Sequence, residues 1–534
     1  MEYNLADIFE SLVDVIGDRE ALVCGDRRLT YAELEDRSNR LARHYLSIGI
    51  KPGDHVGVQS YNCTEYVEAM IACFKVRAVP INVNYRYVEA ELLYLFLDAD
   101  LVALVHDTEF TERINIVRAQ APLLTHFVSI GDGETPEGAV RFDDAIAAQD
   151  NIRDYLPRSA DDLYIIYTGG TTGMPKGVMW RQEDLFFAGM GGGEPIGTPA
   201  SYPAEVAERA VGRGALVMFP VAPLMHGAAQ LGTWIGFMQA AKVVLVRKFD
   251  PIDVIETAKR EGVNSVSIVG DAMARPIAEA LAGPMKGTEL PTVFAISSAG
   301  AIFSQTVRDR LQELLPSVML MDNFGASETG FQGTGKAGSS PDAGLKFTVN
   351  ARTTVLAEDL TPIEPGSGAI GRVAQRGHVP LGYYKDEKKT KESFVTIDGE
   401  RWVLLGDAAT IEADGTIAVL GRHSVCINTG GEKVYPEEVE AALKAHPAVY
   451  DAVVAGVPDE RYGQRVAALV QVRPEHDAPT QEDLAAHCRT RVAGYKVPRL
   501  VVVVPEIRRS PSGKADYPWA SKVAAAASIA PAAG

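Results

Sequence analysis

The chain has 534 residues, 70 of them acidic and 52 basic, for a formal net charge of −18. Hydrophobic residues make up 46% and charged residues 23%, the balance of a globular protein with a large core, and the length predicts two to four lobes. So acidic a chain excludes loose binding to nucleic acid or to anionic membranes, and any anionic ligand must be held by local dipoles and a few placed cations.

The opening residues, MEYNLADIFE, lack the basic and apolar regions of a secretory signal, and no stretch reaches about 18 apolar residues, so a cytoplasmic protein without a transmembrane segment is expected. The five cysteines (Cys24, Cys63, Cys73, Cys426, Cys488) are scattered, without a CxxC pair, as reduced thiols would be; Cys426 reads as an ordinary buried thiol.

Helical and strand patterns then alternate, which predicts α/β architecture. Residues 29–50 form a helix capped by Thr30, with Leu34, Leu41 and Tyr45 at helical spacing and Gly49 near its stop. HVGVQS (55–60) is a buried strand and 64–78 a second helix. The β-branched runs 164–168, 215–220, 242–248, 265–270 and 292–297 are strands, and intervening helices such as 253–262 imply parallel βαβ connections. Segments 131–138, 190–203 and 333–344 read as loops, the second placed to lengthen or cover a pocket mouth. The alanine-rich end, about 520–534, reads as a disordered tail.

The strongest motif is Tyr167-Thr168-Gly169-Gly170-Thr171-Thr172-Gly173-Met174-Pro175-Lys176-Gly177, directly after a predicted strand. Its glycines let backbone N–H groups turn toward an anion, its threonines add hydroxyl donors, and Lys176 adds a charge. It is not a Walker A loop: Pro175 precedes the lysine, Gly177 follows it, and no Ser or Thr stands beside it to meet magnesium.

With this loop the sequence resembles the adenylate-forming superfamily of acyl-CoA synthetases, peptide-synthetase adenylation domains and luciferase-like enzymes, whose usual YTSGTTGxPKGV differs here by Gly169 in place of serine. The resemblance runs from Leu29 to Lys514. It implies a large N-terminal domain of α/β subdomains with a small β-barrel-like part (1–423) and a small mobile α+β C-terminal domain (424–534) hinged near Ser424. Ser424 and Val425 depart from the charged residues usual at that hinge.

The remaining motifs follow in family order. Asn323-Phe324-Gly325-Ala326-Ser327-Glu328 resembles YGxTE. That likeness implies Phe324 beneath adenine, Asn323 at its amino edge, Ser327 on a phosphate and Glu328 on magnesium, a hard ion suited to carboxylate oxygen. Ser298-Ala299-Gly300 matches the turn along adenine, Asp407 the ribose ligand, and Arg422 the arginine of ribose and phosphate. Gly430 and Gly431, in TGGEKVYPEEVE, match a segment that helps form the CoA tunnel. Lys514, in SPSGK, matches the lysine at the carboxylate and α-phosphate. His226, in PLMHG, matches the residue beside the acid; with Gly227, Ala228 and Ala229 after it, a non-amino acid of apolar bulk fits.

The reading is an AMP-forming acyl-CoA synthetase using ATP, Mg2+ and coenzyme A, with Lys514, Glu328, Thr171 and His226 catalytic, acting on a long-chain fatty or steroid side-chain acid. A homodimer is compatible with it. The alternatives are an aryl or other carboxylate–CoA ligase, a fatty-acyl-AMP ligase serving a carrier protein, and a non-catalytic nucleotide-binding scaffold.

Overall fold

The computed structural model describes residues 1–168, 174–335, 345–422, 425–429, 432–459, 461–509 and 514–529. The predicted capped helix spans Tyr31–Ser47. Thr30 accepts from the Glu33 N–H while Glu33 reaches back to the Thr30 N–H, which satisfies two donors the helix itself cannot. Leu34, Leu41 and Tyr45 lie on its fully buried side.

Two large sheets and a smaller three-stranded one build the large domain. One is wholly parallel, in the order Val79–Asn82, His55–Gln59, Leu101–Asp107, His126–Ile130, Ala139–Arg141. The other runs parallel through Glu20–Cys24, Lys242–Leu245, Val217–Pro220, Ser265–Ile268, Ala295–Ala299 and Met319–Ala326, then turns antiparallel at Gly330–Gly335. The antiparallel half closes over its own core of Val355, Val373, Leu405 and Ile417. A hairpin, Leu163–Thr168 with Lys176–Arg181, carries the residues flanking the glycine-rich loop. The small domain has a five-stranded sheet with helices Pro436–Lys444, Gln481–Arg489 and Tyr517–Ile529.

Four expectations need correction. The tail expected to be disordered from about 520 is helical through Ile529, because Ala520 and Ala524 form a stripe small enough to lie flush on the strands Val449–Asp459 and Gly463–Val472; 530–534 lie outside the described residues. The expected loop 333–344 begins as strand, since Gly333 and Gly335 sit where a neighbouring strand would meet any Cβ. The predicted strand 292–297 starts only at Ala295, with Phe294 half exposed before it. Cys426 is half-buried rather than buried.

Segment 190–203 is irregular apart from one short turn at Gly191–Gly193, where three successive glycines take left-handed φ of 63°, 64° and 79°. The fold ties it down: Gln239 Nε2 donates to Gly193 O at 2.6 Å and Tyr3 OH to Ala200 O at 3.1 Å.

Candidate active site

The parallel strands point their carboxyl ends at one region, the usual ligand position in an open α/β sheet. Thr168 and Lys176 face each other at the mouth of the hairpin. Lys176 Nζ is paired with Asp386, whose carboxyl this lysine holds below the usual carboxylate range. Gly169, Gly170, Thr171, Thr172 and Gly173 lie outside the described residues, as do Ser424, Gly430 and Gly431. What is described is the clamp beneath the loop. The buried Asn82 amide donates to Tyr167 O at 2.8 Å and Met225 O at 2.7 Å and accepts from Tyr167 N at 2.8 Å. It thereby joins the loop-bearing strand to the residue before His226.

The strand Met319–Ala326 carries Asn323, Phe324 and Gly325, and Ser327 and Glu328 form the turn after it. Gly325 has no alternative, since a Cβ there would come within 2.2 Å of Gly330 O on the returning strand. Trp180 Nε1 donates to Ser327 O at 2.9 Å, and Tyr383 OH to Glu328 Oε1 at 2.9 Å, which fixes the turn from two sides. Phe324 stacks on Phe347 at 4.9 Å, so one face of its ring is covered by protein. Asn323 Oδ1 receives Thr334 Oγ1 at 3.4 Å. Ala299 pairs with Asn323 across the strands and Gly300 follows in a left-handed turn. Ser298 is spent on structure, its fully buried hydroxyl accepting the Gly270 N–H at 2.9 Å.

Asp407 and Arg422 are cross-strand partners, carboxylate to guanidinium at 3.8 Å. Lys514 joins them. Burial and the Arg422 charge push its ammonium below the usual lysine range, while Glu328 and Asp407 pull it upward. His226 stands at the start of the helix Gly227–Met238; burial, then the charges of Lys514 and Arg86, push it down to about 4, so its imidazole is neutral at pH 7. Its Nε2 is buried without a hydrogen-bond partner. The fold thus brings Glu328, Asp407, Arg422 and His226 each within reach of Lys514. Asn82, Trp180 and Tyr383 escaped the sequence reading because each acts on backbone or on another side chain, outside any chemical motif.

The donor set suits magnesium in one way only. Among the described residues no three His, Cys, Asp or Glu side chains cluster to hold a metal. Glu328 offers a single carboxylate, with Oε1 oriented by Tyr383. That fits an ion taking one or two protein oxygens and its other ligands from phosphate and water.

A cleft of about 1300 Å3 separates the two domains, with Tyr85, Arg86 and Pro223 on one wall and Tyr450, Gln471 and Arg509 on the other. Lys444 to Asp271 at 3.6 Å and Arg275 over the Tyr450 ring at 5.0 Å bridge its floor.

A lysine of the small domain thus comes to lie beside Glu328, Asp407 and Arg422 of the large one, the arrangement of a two-domain ligase. Family models agree: residues 9–384 match the AMP-binding enzyme family and 438–514 its C-terminal domain. A 3-oxocholest-4-en-26-oate–CoA ligase of Rhodococcus rhodochrous is 47% identical over 97% of this chain and 96% of its own. A medium/long-chain-fatty-acid–CoA/3-oxocholest-4-en-26-oate–CoA ligase of Mycobacterium tuberculosis is 46% identical over 97% and 96%. An anthranilate CoA ligase solved with anthranoyl-AMP shares the fold with a TM-score of 0.84 at 24% identity, covering 99% of this chain and 98% of that one. The chain belongs to the AMP-binding enzyme family, among its AMP-forming acyl-CoA ligases.

Proposed function

We propose that the chain joins a steroid side-chain or medium- to long-chain fatty acid to coenzyme A in two steps. In the first, a carboxylate oxygen attacks the α-phosphorus of ATP, the bond from that phosphorus to the bridging oxygen breaks, and pyrophosphate leaves. In the second, the CoA sulfur attacks the acyl carbon, AMP leaves, and the thiol proton passes to solvent. The observation that carries this reading is the meeting of Lys514 with Glu328, Asp407 and Arg422 across the domain interface.

Each residue has a task in this scheme. The 168–173 segment and Lys176 hold the outer phosphates, Asn82 setting their base; Thr171 is assigned there from its motif. Asp407 accepts the ribose hydroxyls, with Arg422 beside it. Asn323, Phe324, Gly325 and the turn Ser298-Ala299-Gly300 form the adenine slot, and Ser327 a phosphate contact. Lys514 meets the charge that develops as the carboxylate reaches phosphorus. His226, neutral and with a free ring nitrogen, takes the acid's carboxyl end. Glu328 would hold magnesium, which when bound offsets phosphate charge.

We further place the domain boundary at 423/424, with rotation near Ser424 exchanging Lys514 for the 430–431 segment, and the cleft beside Pro223 as the route of the thiol. Acid-dependent exchange of pyrophosphate into ATP, followed by AMP release only on adding CoA, tests the scheme; a trapped adenylate indifferent to CoA refutes the second step.

A further inference from the structure

The helix Gly270–Ala282 of the large domain carries Asp271, Arg275 and Glu279 at intervals of four, hence along one face. Their charges alternate: negative, positive, negative. Opposite them the small domain presents Lys444, Tyr450 and Arg473. Asp271 Oδ2 lies 3.6 Å from Lys444 Nζ, and the Arg275 guanidinium stands 5.0 Å from the centre of the Tyr450 ring. Glu279, exposed at the rim, is within reach of the Arg473 charge, and Arg473 also lies against the Tyr450 ring at 5.8 Å. At each step along the helix a charge meets its opposite or a π face.

Each domain sets its own half of this register. Asp271 Oδ1 accepts the Ser304 N–H at 2.8 Å. That leaves Oδ2 for the interface, where it is buried without a hydrogen-bond partner and also lies 3.6 Å from Arg275. Lys444 ends the helix Pro436–Lys444 and is buried; the other carboxylates that feel its charge, Glu440 and Asp451, belong to its own domain. Both have further work. Glu440 Oε1 accepts the Val454 N–H at 3.0 Å, and Asp451 accepts Arg509 Nε and one terminal nitrogen, each at 2.7 Å. Asp271 is the large domain's answer to that buried ammonium.

A separation of 3.6 Å is too long for a hydrogen bond, so Lys444 and Asp271 attract by charge alone. Water can replace such an attraction when the domains part, whereas an apolar seam would pay for its exposure at every turnover. The orientation that makes these contacts is the one that brings Lys514 beside Glu328, Asp407 and Arg422. A rotation that withdraws Lys514 must also break them.

We propose that Asp271 and Arg275, with Lys444 and Tyr450 opposite, are positioning residues: they hold the small domain where Lys514 meets the site and so set the balance between adenylate formation and thioester formation. The inference rests on the two-step reading with rotation and adds the contacts that the rotation breaks.

The test uses the full chain as wild type, Asp271→Asn, Lys444→Met, these two combined, and Tyr450→Leu, each shown to be folded by a melting curve. Asp271→Asn keeps the acceptor for Ser304 and removes only the charge. Single-turnover rates are measured for adenylate formation and for AMP release when CoA is added to preformed adenylate. The ratio of the second rate to the first should rise about fivefold in each single variant, the worth of one ion pair. It should rise no further in the combined variant, because both substitutions remove the same contact. A fault of folding alone would slow both steps together. If Lys444→Met does not fold, Arg275→Gln replaces it with the same rise expected. A ratio unchanged from wild type, or effects that multiply in the combined variant, overturns the proposal.

Acylation of Lys444, read by mass spectrometry without substrates, separates the docking contacts from the ligase reading. Tyr450→Leu leaves the carboxylates around Lys444 in place, so it should raise Lys444 labelling about fivefold while the exposed Lys391 labels as before. Equal Lys444 labelling in Tyr450→Leu and wild type overturns the proposal. Absence of adenylate in wild type overturns the ligase reading and the balance of steps with it, whereas the labelling still decides whether these contacts hold the domains together.

Discussion

Glu437 replaced by glutamine tests how the two domains hold together. This residue opens the helix Pro436–Lys444 of the small domain and is wedged against the large one. Its Oε1 accepts the Arg422 N–H at 3.4 Å, its Oε2 is buried without a partner, and a Cβ on Gly421 would come within 2.2 Å of that oxygen. Burial first, then the carboxylates of Glu440 and Asp407, push its carboxyl up to about 8. The Arg422 backbone N–H opposes this, and Tyr435, Cys426 and Tyr517 are the other titratable groups that feel its charge. The docked state therefore binds a proton that a solvated Glu437 would release. The stability it contributes is complete below the ordinary 4.5, drains as pH rises, and is gone above about 8. At about 1.4 kcal/mol per pH unit the full window is worth about 5 kcal/mol, capped by whatever docking itself is worth. A glutamine at this position carries no such charge, so Glu437→Gln should flatten the fall in stability with pH. Urea unfolding followed at several pH values between about 5 and 9 measures the slope in both proteins. Equal slopes in the two would refute the burial argument, because no other change in the variant compensates for a lost proton.

Three further outcomes are expected. Lys514→Ala should abolish acid-dependent pyrophosphate exchange in a variant that a melting curve shows to be folded; exchange at the wild-type rate would remove Lys514 from the first step. Asn82→Ala strips three hydrogen bonds and leaves the Tyr167 and Met225 carbonyls bare; it should cost about 2–4 kcal/mol in urea unfolding and slow exchange at least about tenfold. Lys75 is fully buried between Glu10 at 2.6 Å and Glu35 at 2.8 Å, so Lys75→Met should cost about 3–5 kcal/mol. Arg158 and Arg153, which also hold those carboxylates, would put the loss at the lower end, and calorimetry decides.

The parallel sheets and the helix at Tyr31–Ser47 were legible because their signals are local: β-branched runs, a capping box, an apolar stripe at helical spacing. The alanine-rich end misled for the opposite reason. Alanine carries little apolar surface, and only the flat sheet beneath Ala520 and Ala524 turns that smallness into close packing. The residues proposed for the chemistry stand out as motifs, but their neighbours do not. Nothing in the order of residues joins Asn82 to Met225, or Tyr383 to Glu328, until the sheets bring distant segments together. Lys444 is the sharpest case, since a lysine ending a helix looks like a solvent-facing residue until its burial is known.

The acidic charge of −18 acquires its meaning in the site. Each candidate cation there is already answered by a carboxylate: Lys176 by Asp386, Arg422 by Asp407, and Lys514 by Glu328 and Asp407 at once. A site of bare cations would bind any polyphosphate and hold the products as firmly as the substrate. Pairing keeps the field near neutral and holds each of these side chains against a partner, and in the proposed scheme it leaves phosphate affinity to backbone N–H groups, which select shape as well as charge. Of these three cations Lys514 comes from the small domain. In the proposed scheme, removing it by rotation would change the local balance by a full charge, so domain position would decide when the carboxylate and the α-phosphate, which repel each other, are brought together.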